Sequence, residues 1–387
     1  MQVNDIISGK FFGLVKVDIS PPKDLYIPVL PDNSQKKLLF HLNYMEEKTF
    51  TSVELQLALK LGYEITKIDS ALEYKKYTGL MKDHVEFFLQ IKIQNNKHYT
   101  PEECDRINQS QQNLGLDIKI QSEDTCKNPG MKALAKLCLN SLWGKFGQRT
   151  QLDNYDFMTE WNKLLIKMTD EKVKTKSWHI INESCVELRY TEDINYDVEP
   201  EYGSEITAAF TTANARIRLM SMLLWLDKSQ LVYCDTDSVI FIYDENNPKH
   251  KYPSNDAEDL PHNIRFGDAL GEWENEFGND EWIDEIVVEG AKSYSYKTNK
   301  GKIVVKQKGI TLDKANSKLF TFEMVRDIVL NDIKVESEKR FQFGWNNKSK
   351  DIETKYVSRT VRQTVNTKRE VLPNYDTLPI GHQDTLN

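Results

Sequence analysis

The chain has 387 residues, 39% of them hydrophobic and 28% charged, and a formal net charge of -8 at pH 7. That length allows two or three domains around real cores. No run of about 18 apolar residues supplies a membrane-spanning helix. The start, MQVNDIISGKFF, lacks the basic region and apolar core of a secretory leader, so an intracellular chain with no membrane partner is expected, its compartment unassigned.

Five cysteines, none in a CxxC pair, argue against a disulfide framework or a zinc ribbon and make a reducing compartment the default. Charge is unevenly spread. From Glu201 to Glu289 acids outnumber Lys and Arg by roughly a dozen, whereas from Lys292 to Arg369 the bases lead by about ten. Such a split suits a protein that holds cations in one region and a polyanion in another, and it equally suits two ordinary solvated surfaces.

In chain order, GLVKVDIS alternates apolar and polar residues like a strand, and PPKDLYIPVLP is too proline-rich for a helix or a central strand, so an extended, edge-like entry is expected. Thr51 and Glu54 form a capping-box pattern ahead of VELQLALKLGY, a helix of about three turns that Gly62 would stop. YEITKIDSALEY reads as a strand, and LMKDHVEFFLQIKI, from Leu80, has apolar residues at helical spacing. Between Asn95 and Asn128 the sequence turns polar, which predicts an exposed excursion. MKALAKLCLNSLWGKFGQR, from Met131, is strongly helical until Gly144 and Gly147 close it. From Thr150 to Glu199 strand-like pieces follow no clear rule. A second long helix, ITAAFTTANARIRLMSMLLWL, follows Gly203 and Ser204, and DKSQ turns the chain into LVYCDTDSVIFIYD, two strands meeting at a pair of acids. EIVVEGAKSYSYKTNKGKIVVKQKGIT reads as a hairpin pair with NKG at its turn. The remaining tail is mixed and basic, and the chain has neither an internal repeat nor a low-complexity block.

The acids Asp235 and Asp237 are separated only by Thr236 in an otherwise apolar run. Alternate strand residues share a face, and a tight turn centred on Thr236 would also converge the two carboxylates. Two buried carboxylates need a compensating cation. A hard divalent ion, Mg²⁺ or Mn²⁺, takes a few carboxylate oxygens together with substrate phosphates. The bland alternative is one turn-capping Asp and one solvated Asp. Upstream, Lys132, Lys136 and Asn140 succeed one another at i, i+4 and form one stripe on a helical face. Such a stripe is suited to a triphosphate, though a solvated face of an amphipathic helix has the same look.

The order of these segments carries a resemblance. KLCLNSLWGKFG resembles the Kx3NSxYG motif of family B DNA polymerases, YCDTDS looks like their YxDTDS metal motif, and AKSY is similar to their KxY motif. YTGLMKDHVEFFLQIKI, AAFTTANARIRL and VVKQKGITLDK are similar to segments of the protein-primed branch, organellar and viral, which includes Maverick or Polinton transposon polymerases; the likeness runs from about Gly13 to Gly381.

The resemblance implies an α+β palm, fingers and thumb fold, with a residual palm segment at 1–50, palm insertion and fingers at 51–147, palm with YCDTDS and KxY at 148–298, and thumb with C-terminal segment at 299–387. It implies template-directed transfer of deoxynucleotides from dNTPs to a primer 3'-hydroxyl with two Mg²⁺ or Mn²⁺ ions. Asp235 and Asp237 would be the catalytic metal ligands, and Lys92, Lys132, Lys136, Asn140 and Trp143 would bind the nucleotide. Tyr233, Thr236, Lys292, Tyr294, Lys306 and Lys308 would contact primer–template DNA, and a terminal protein primer is a further implied partner. Trp143 replaces the motif's usual Tyr, which keeps stacking and loses a hydroxyl.

The family also carries a metal-binding Asp in an upstream DxxSLYP motif, and usually an N-terminal exonuclease domain. DISPPKDLYIP, with Asp18 and Tyr26, imitates that motif at the wrong spacing, while GLVKVDISPPKDLYIPVLP resembles the palm segment that follows it. The expectation is a C-terminal fragment lacking both, with little or no polymerase activity by itself. Two alternatives stay open: a catalytically dead DNA-binding remnant of a mobile-element polymerase, and a DxD nucleotide-sugar glycosyltransferase.

Overall fold

The computed structural model describes residues 2–35, 37–148, 152–192, 203–267, 270–278, 280–346, 349, 351–363 and 368–385. A short helix α1 (Val3–Ile7) leads into β1 (Gly13–Ser20), followed by β2 (Met45–Thr51), α2 (Ser52–Lys60) and β3 (Glu64–Glu73). Helices α3 (Lys82–Gln94), α4 (Pro101–Asn113) and α5 (Pro129–Phe146) come next, then β4 (Asn154–Met158), α6 (Trp161–Thr169), β5 (Val173–Asn182) and β6 (Cys185–Glu192). The long α7 (Glu205–Trp225) precedes β7 (Leu231–Asp235), β8 (Ser238–Phe241), β9 (Ile283–Gly290), β10 (Ser293–Thr298) and β11 (Ile303–Lys306). The remainder comprises α8 (Asn316–Leu319), α9 (Phe322–Asn331), β12 (Val335–Glu336), β13 (Arg340–Trp345), β14 (Ile352–Val357), β15 (Thr360–Val361), β16 (Arg369–Val371) and β17 (Thr377–Pro379). Among the described residues every named strand pair is antiparallel, and the chain is α+β.

The chain divides into two units. The first comprises Met1–Leu139, Phe210–Lys339 and Ser358–Asn387. Its largest core forms because β1 alternates: Val15, Val17 and Ile19 point to one buried face. Strands β2 and β3 flank β1, and Leu55 and Ala58 of α2 with Leu219, Met220 and Leu223 of α7 complete the cluster. The capping box stands as the spacing predicts: Thr51 Oγ accepts from the Glu54 N–H and donates to Glu54 Oε2 at 2.8 Å. Glu54 Oε1 accepts two N–H groups of Arg216, at 2.9 and 2.8 Å, which ties α2 to α7. Gly62, with φ of +87°, follows the end of α2 in the left-handed region.

Helices α3 and α5 run antiparallel. At one end His84 Nε2 meets the Cys138 carbonyl at 3.3 Å, and at the other Asn95 accepts the Asn128 N–H at 3.1 Å. Between them the expected polar excursion contains a helix. Pro101 stands at the first turn of α4, Thr100 caps it, and Glu103 closes the box. A small core of Leu89, Cys104, Ile118 and Ile120 holds this hairpin together. Further along the first unit, Met222 and Trp225 of α7 and Leu226 just after it bury Ile264, β9, β10 and β11 form a three-stranded meander, and Phe320, Ile328, Val335 and Val361 make a core around α9.

The second unit comprises Asn140–Ala209 and Arg340–Val357. Strand β6 lies between β4 and β5, and Leu188 and Tyr190 pack with Leu164 of α6. The stretch from Thr150 to Glu199, without a clear pattern in sequence, forms this sheet and helix in its described part; Thr150, Gln151 and 193–199 lie outside the described residues. The hairpin β13–β14 belongs to the same unit.

Candidate active site

The acid pair sits on a turn between two strands, as its sequence predicts. Strand β7 ends at Asp235, β8 starts at Ser238, and these two residues pair across the ladder. Thr236 has φ of +48°, a left-handed conformation uncommon for a β-branched residue. The Asp237 N–H donates to the Asp235 carbonyl at 2.5 Å, an i to i+2 bond of the γ-turn kind, and Ser238 Oγ donates to the same carbonyl at 3.0 Å. The strain is local and sets both carboxylates at the tip of the hairpin.

The apolar, buried setting expected for these acids is not what the fold makes. Strands β7 and β8 form a two-stranded sheet, with Leu231 and Val239 packed inward, so the tip is open: Asp235 is half-buried and Asp237 exposed. A cation from another strand balances the charge. Lys292 Nζ donates to both carboxylate oxygens of Asp235, at 2.9 and 2.6 Å, from 57 residues away. Lys292 occupies the tight connection between β9 and β10 with φ of +62°, and its N–H donates to the Tyr233 hydroxyl at 2.9 Å. The hydrogen bond to Asp235 raises the Lys292 pKa against a small burial effect, and the charges of Asp235 and Asp237 add to it. Both acids therefore act on this one ammonium.

Aromatic rings extend the cluster. The Tyr233 and Tyr294 rings lie 5.0 Å apart, and Tyr294 stacks with Tyr296 at 6.2 Å. Burial pushes the phenol pKa of Tyr233 and of Tyr294 up. The register sets Lys306 directly opposite Tyr294, and Lys308, also exposed, donates its N–H to Ser293 Oγ at 3.1 Å. Tyr233, Asp235, Lys292, Tyr294 and Lys306 thus come together although they span three segments of sequence.

The lysine stripe is likewise assembled. Lys132 and Lys136 lie one turn apart on α5, and Lys92 of the antiparallel α3 joins them. Burial lowers the Lys92 pKa, and the charges of Lys136 and Lys132 lower it further, so the three ammonium groups share one field. Asn140 and Trp143 continue along α5, both exposed, in the second unit.

Two residues of these clusters were not singled out in the sequence. Asn96 accepts a hydrogen bond from Lys132 Nζ at 2.7 Å and fixes that lysine; a lone Asn in a polar stretch has no sequence signal. Arg369 lies in the basic tail, yet its half-buried guanidinium donates to Tyr26 O, Thr377 Oγ1 and Thr377 O and stacks over the Tyr26 ring at 4.8 Å. Burial lowers its pKa, and its charge acts on Cys234, next to Asp235. Asp18, of the motif look-alike, is buried in β1 and accepts the Glu47 N–H at 2.7 Å.

The oxygens of Asp235 and Asp237 fit a hard divalent ion, since Mg²⁺ uses one or two protein carboxylates and takes other ligands from substrate phosphates and water. The ammonium already seated on Asp235 shows that this carboxylate accepts a cation. Among the described residues no group of three or more His, Cys, Asp or Glu side chains is placed to hold a metal ion.

An α+β chain that presents carboxylates on a strained turn and lysines on a helix pair has the charged groups that phosphoryl-transfer enzymes use. The family model described as DNA polymerase type B, organellar and viral, matches residues 1–103 and 116–223. That is more than half of the chain, and the chain belongs to this family, whose members make DNA on a template with deoxynucleoside triphosphates. The matched residues include Lys92, Lys132, Lys136, Asn140 and Trp143 and end before the Asp235 turn. Neither a curated protein nor a solved structure matches the chain. Among the described residues no helix is long and apolar enough to cross a membrane.

Proposed function

We propose that the chain serves template-directed DNA synthesis, in which a primer 3'-hydroxyl attacks the α-phosphorus of a dNTP and pyrophosphate leaves. The observation that carries this reading is the convergence of Asp235, Asp237 and Tyr233 on Lys292, in a chain of the type B polymerase family. Asp235 and Asp237 would hold two Mg²⁺ or Mn²⁺ ions. Bound there, the ions would lower the pKa of the primer hydroxyl and balance charge on the pyrophosphate. Lys92, Lys132 and Lys136 neutralise the triphosphate, with Asn140 and Trp143 on the same helical stripe toward sugar and base. Lys292, Lys306 and Lys308 meet primer–template phosphates, while Tyr233, Thr236 and Tyr294 orient the primer end. Protein priming and the subdomain roles expected from the sequence belong to this reading.

Two carboxylates supply few oxygens for two ions, so a further carboxylate is required beside the pair. Among the described residues no third carboxylate joins the pair, so the activity expected of this chain by itself is slight. A DNA-binding role without catalysis is favoured by one observation, the occupation of Asp235 by Lys292. Primer extension and primer–template binding by the purified chain, with Mg²⁺ or Mn²⁺, separate the readings. Binding with a trace of extension that Asp235→Ala abolishes supports the proposal, and binding with none supports the non-catalytic role. Robust extension would refute the need for another carboxylate, and absence of DNA binding would refute both readings.

A further inference from the structure

The hairpin β13–β14 is a two-stranded ribbon with one uncharged face. Phe341, Phe343 and Trp345 alternate along β13, and the register sets Tyr356 opposite Phe341, Thr354 opposite Phe343 and Ile352 opposite Trp345. Directly paired residues share a face, so these six form one surface of the ribbon. All six are exposed, the four rings and Ile352 by 51–74%. The cations of the two strands, Arg340 and Lys355, fall on the reverse face with Gln342 and Glu353, so the strands offer a phosphate no partner on the ring face.

A contiguous apolar face left in water marks a binding surface. Rings without charges are the composition found at the centre of a protein–protein interface, and the relief of this face fits itself. Each register pair makes one layer across the ribbon. In the middle layer the long Phe343 stands beside the short Thr354, a ridge beside a dip. Let two copies meet about a two-fold axis that runs between the ribbons, parallel to the strands. Strand β13 of each copy then lies over β14 of the other, with the faces about 10 Å apart. Each Phe343 enters the dip over Thr354 of the other copy, while Phe341 meets Tyr356 and Trp345 meets Ile352 in the same exchanged way. An axis across the strands would set Phe343 on Phe343, ridge on ridge. With no charge on the face, a second copy meets no repulsion there. At roughly 200 Å² for an aromatic side chain, the rings and Ile352 offer on the order of 600 Å² per copy, and about 1,200 Å² in all reaches the lower limit of a standard specific interface.

We propose that the ring face of β13–β14 joins two copies of this chain in a symmetric dimer, with Phe343 of each seated over Thr354 of the other. The contact uses none of the groups assigned to catalysis, so it stands or falls independently of the polymerase reading. Sedimentation velocity of the full chain across the micromolar range tests it, and the mass is expected to rise from 45.1 kDa toward twice that value. Phe343→Thr removes the ridge and Thr354→Phe fills the dip, and each is expected to weaken the dimer on the order of tenfold. Both changes in one chain exchange ridge and dip, restore the dimer, and so guard against misfolding as the cause of either loss. Gln342→Ala, on the reverse face, leaves association unchanged. A dimer that neither single variant weakens, equal weakening by Gln342→Ala, or a loss that the exchange does not repair would overturn the proposal. A chain that stays monomeric throughout the range would overturn it too, and would leave the face to a different protein.

Discussion

Asp235 is the residue on which the proposed chemistry turns, and its partner is now a named group. Lys292 holds both of its oxygens, so a divalent ion must displace or share with an ammonium to bind there. Removing that competitor by Lys292→Met is expected to tighten Mn²⁺ binding severalfold, the scale of a solvent-exposed ion pair of about 1 kcal/mol or less. Electron paramagnetic resonance of free Mn²⁺ measures it without any turnover, and unchanged affinity would show that the lysine does not compete. Asp235→Ala should abolish Mn²⁺ binding at the turn. The sequence made both acids legible because their spacing is local. Their openness was not legible, since the run of apolar neighbours is the same whether one or two faces of the strand pair are covered.

Among the elements, β1 and α2 illustrate how local pattern and distant contact divide the work. The alternation of GLVKVDIS and the Thr51–Glu54 box are readable because each is set by neighbours within four residues. The need for glycine at 13 is not. A Cβ there would stand 1.9 Å from the Leu72 carbonyl oxygen of the paired β3, so Gly13→Ala should cost about 3 kcal/mol by forcing the strands apart, read by urea denaturation. Arg216 raises a parallel expectation. Its removal leaves the buried Glu54 without its cation, and Arg216→Ala should destabilise the first unit by about 3 kcal/mol.

The same unit contains a titrating group whose effect has a definite sign. Burial alone would raise the Asp32 pKa, but hydrogen bonds from Lys48, Ser34 and His41 outweigh it and hold the carboxyl well below its ordinary 3.8. A depressed carboxyl pKa stabilises the fold above the unfolded value, and that contribution is lost as pH falls below 3.8 toward the folded value. Thermal midpoints from about pH 6 to about pH 3 should therefore drop more steeply for the native chain than for Asp32→Asn. Helix α4 is not legible in this polar stretch because its apolar residues are few. The signal present, Thr100, Pro101 and Glu103, marks a helix start without the periodic face that usually accompanies one.

For the whole molecule, the basic stretch after Lys292 predicts DNA binding that weakens with salt in spite of a net negative chain. The logarithm of primer–template affinity should fall linearly with the logarithm of salt concentration, and Lys306→Ala or Lys308→Ala should each reduce the slope by about one. An unchanged slope would remove both lysines from the DNA surface. The charge split along the sequence is consistent with this behaviour, though charge by itself does not say which bases share a face. Register does: β10 and β11 set Lys306 across from Tyr294.

The sequence by itself determined the strands and helices whose signals are local, the family, and the residue types of the candidate site. Tertiary structure decided which of those residues meet. Lys292 reaches Asp235, Lys92 joins Lys132 and Lys136, Arg369 anchors on Tyr26, and the rings of β13 and β14 fall on one open face. The physical reason is that spacing along a chain fixes the face of an element, whereas strand register and helix packing, set by burial among residues far apart, fix what that face touches.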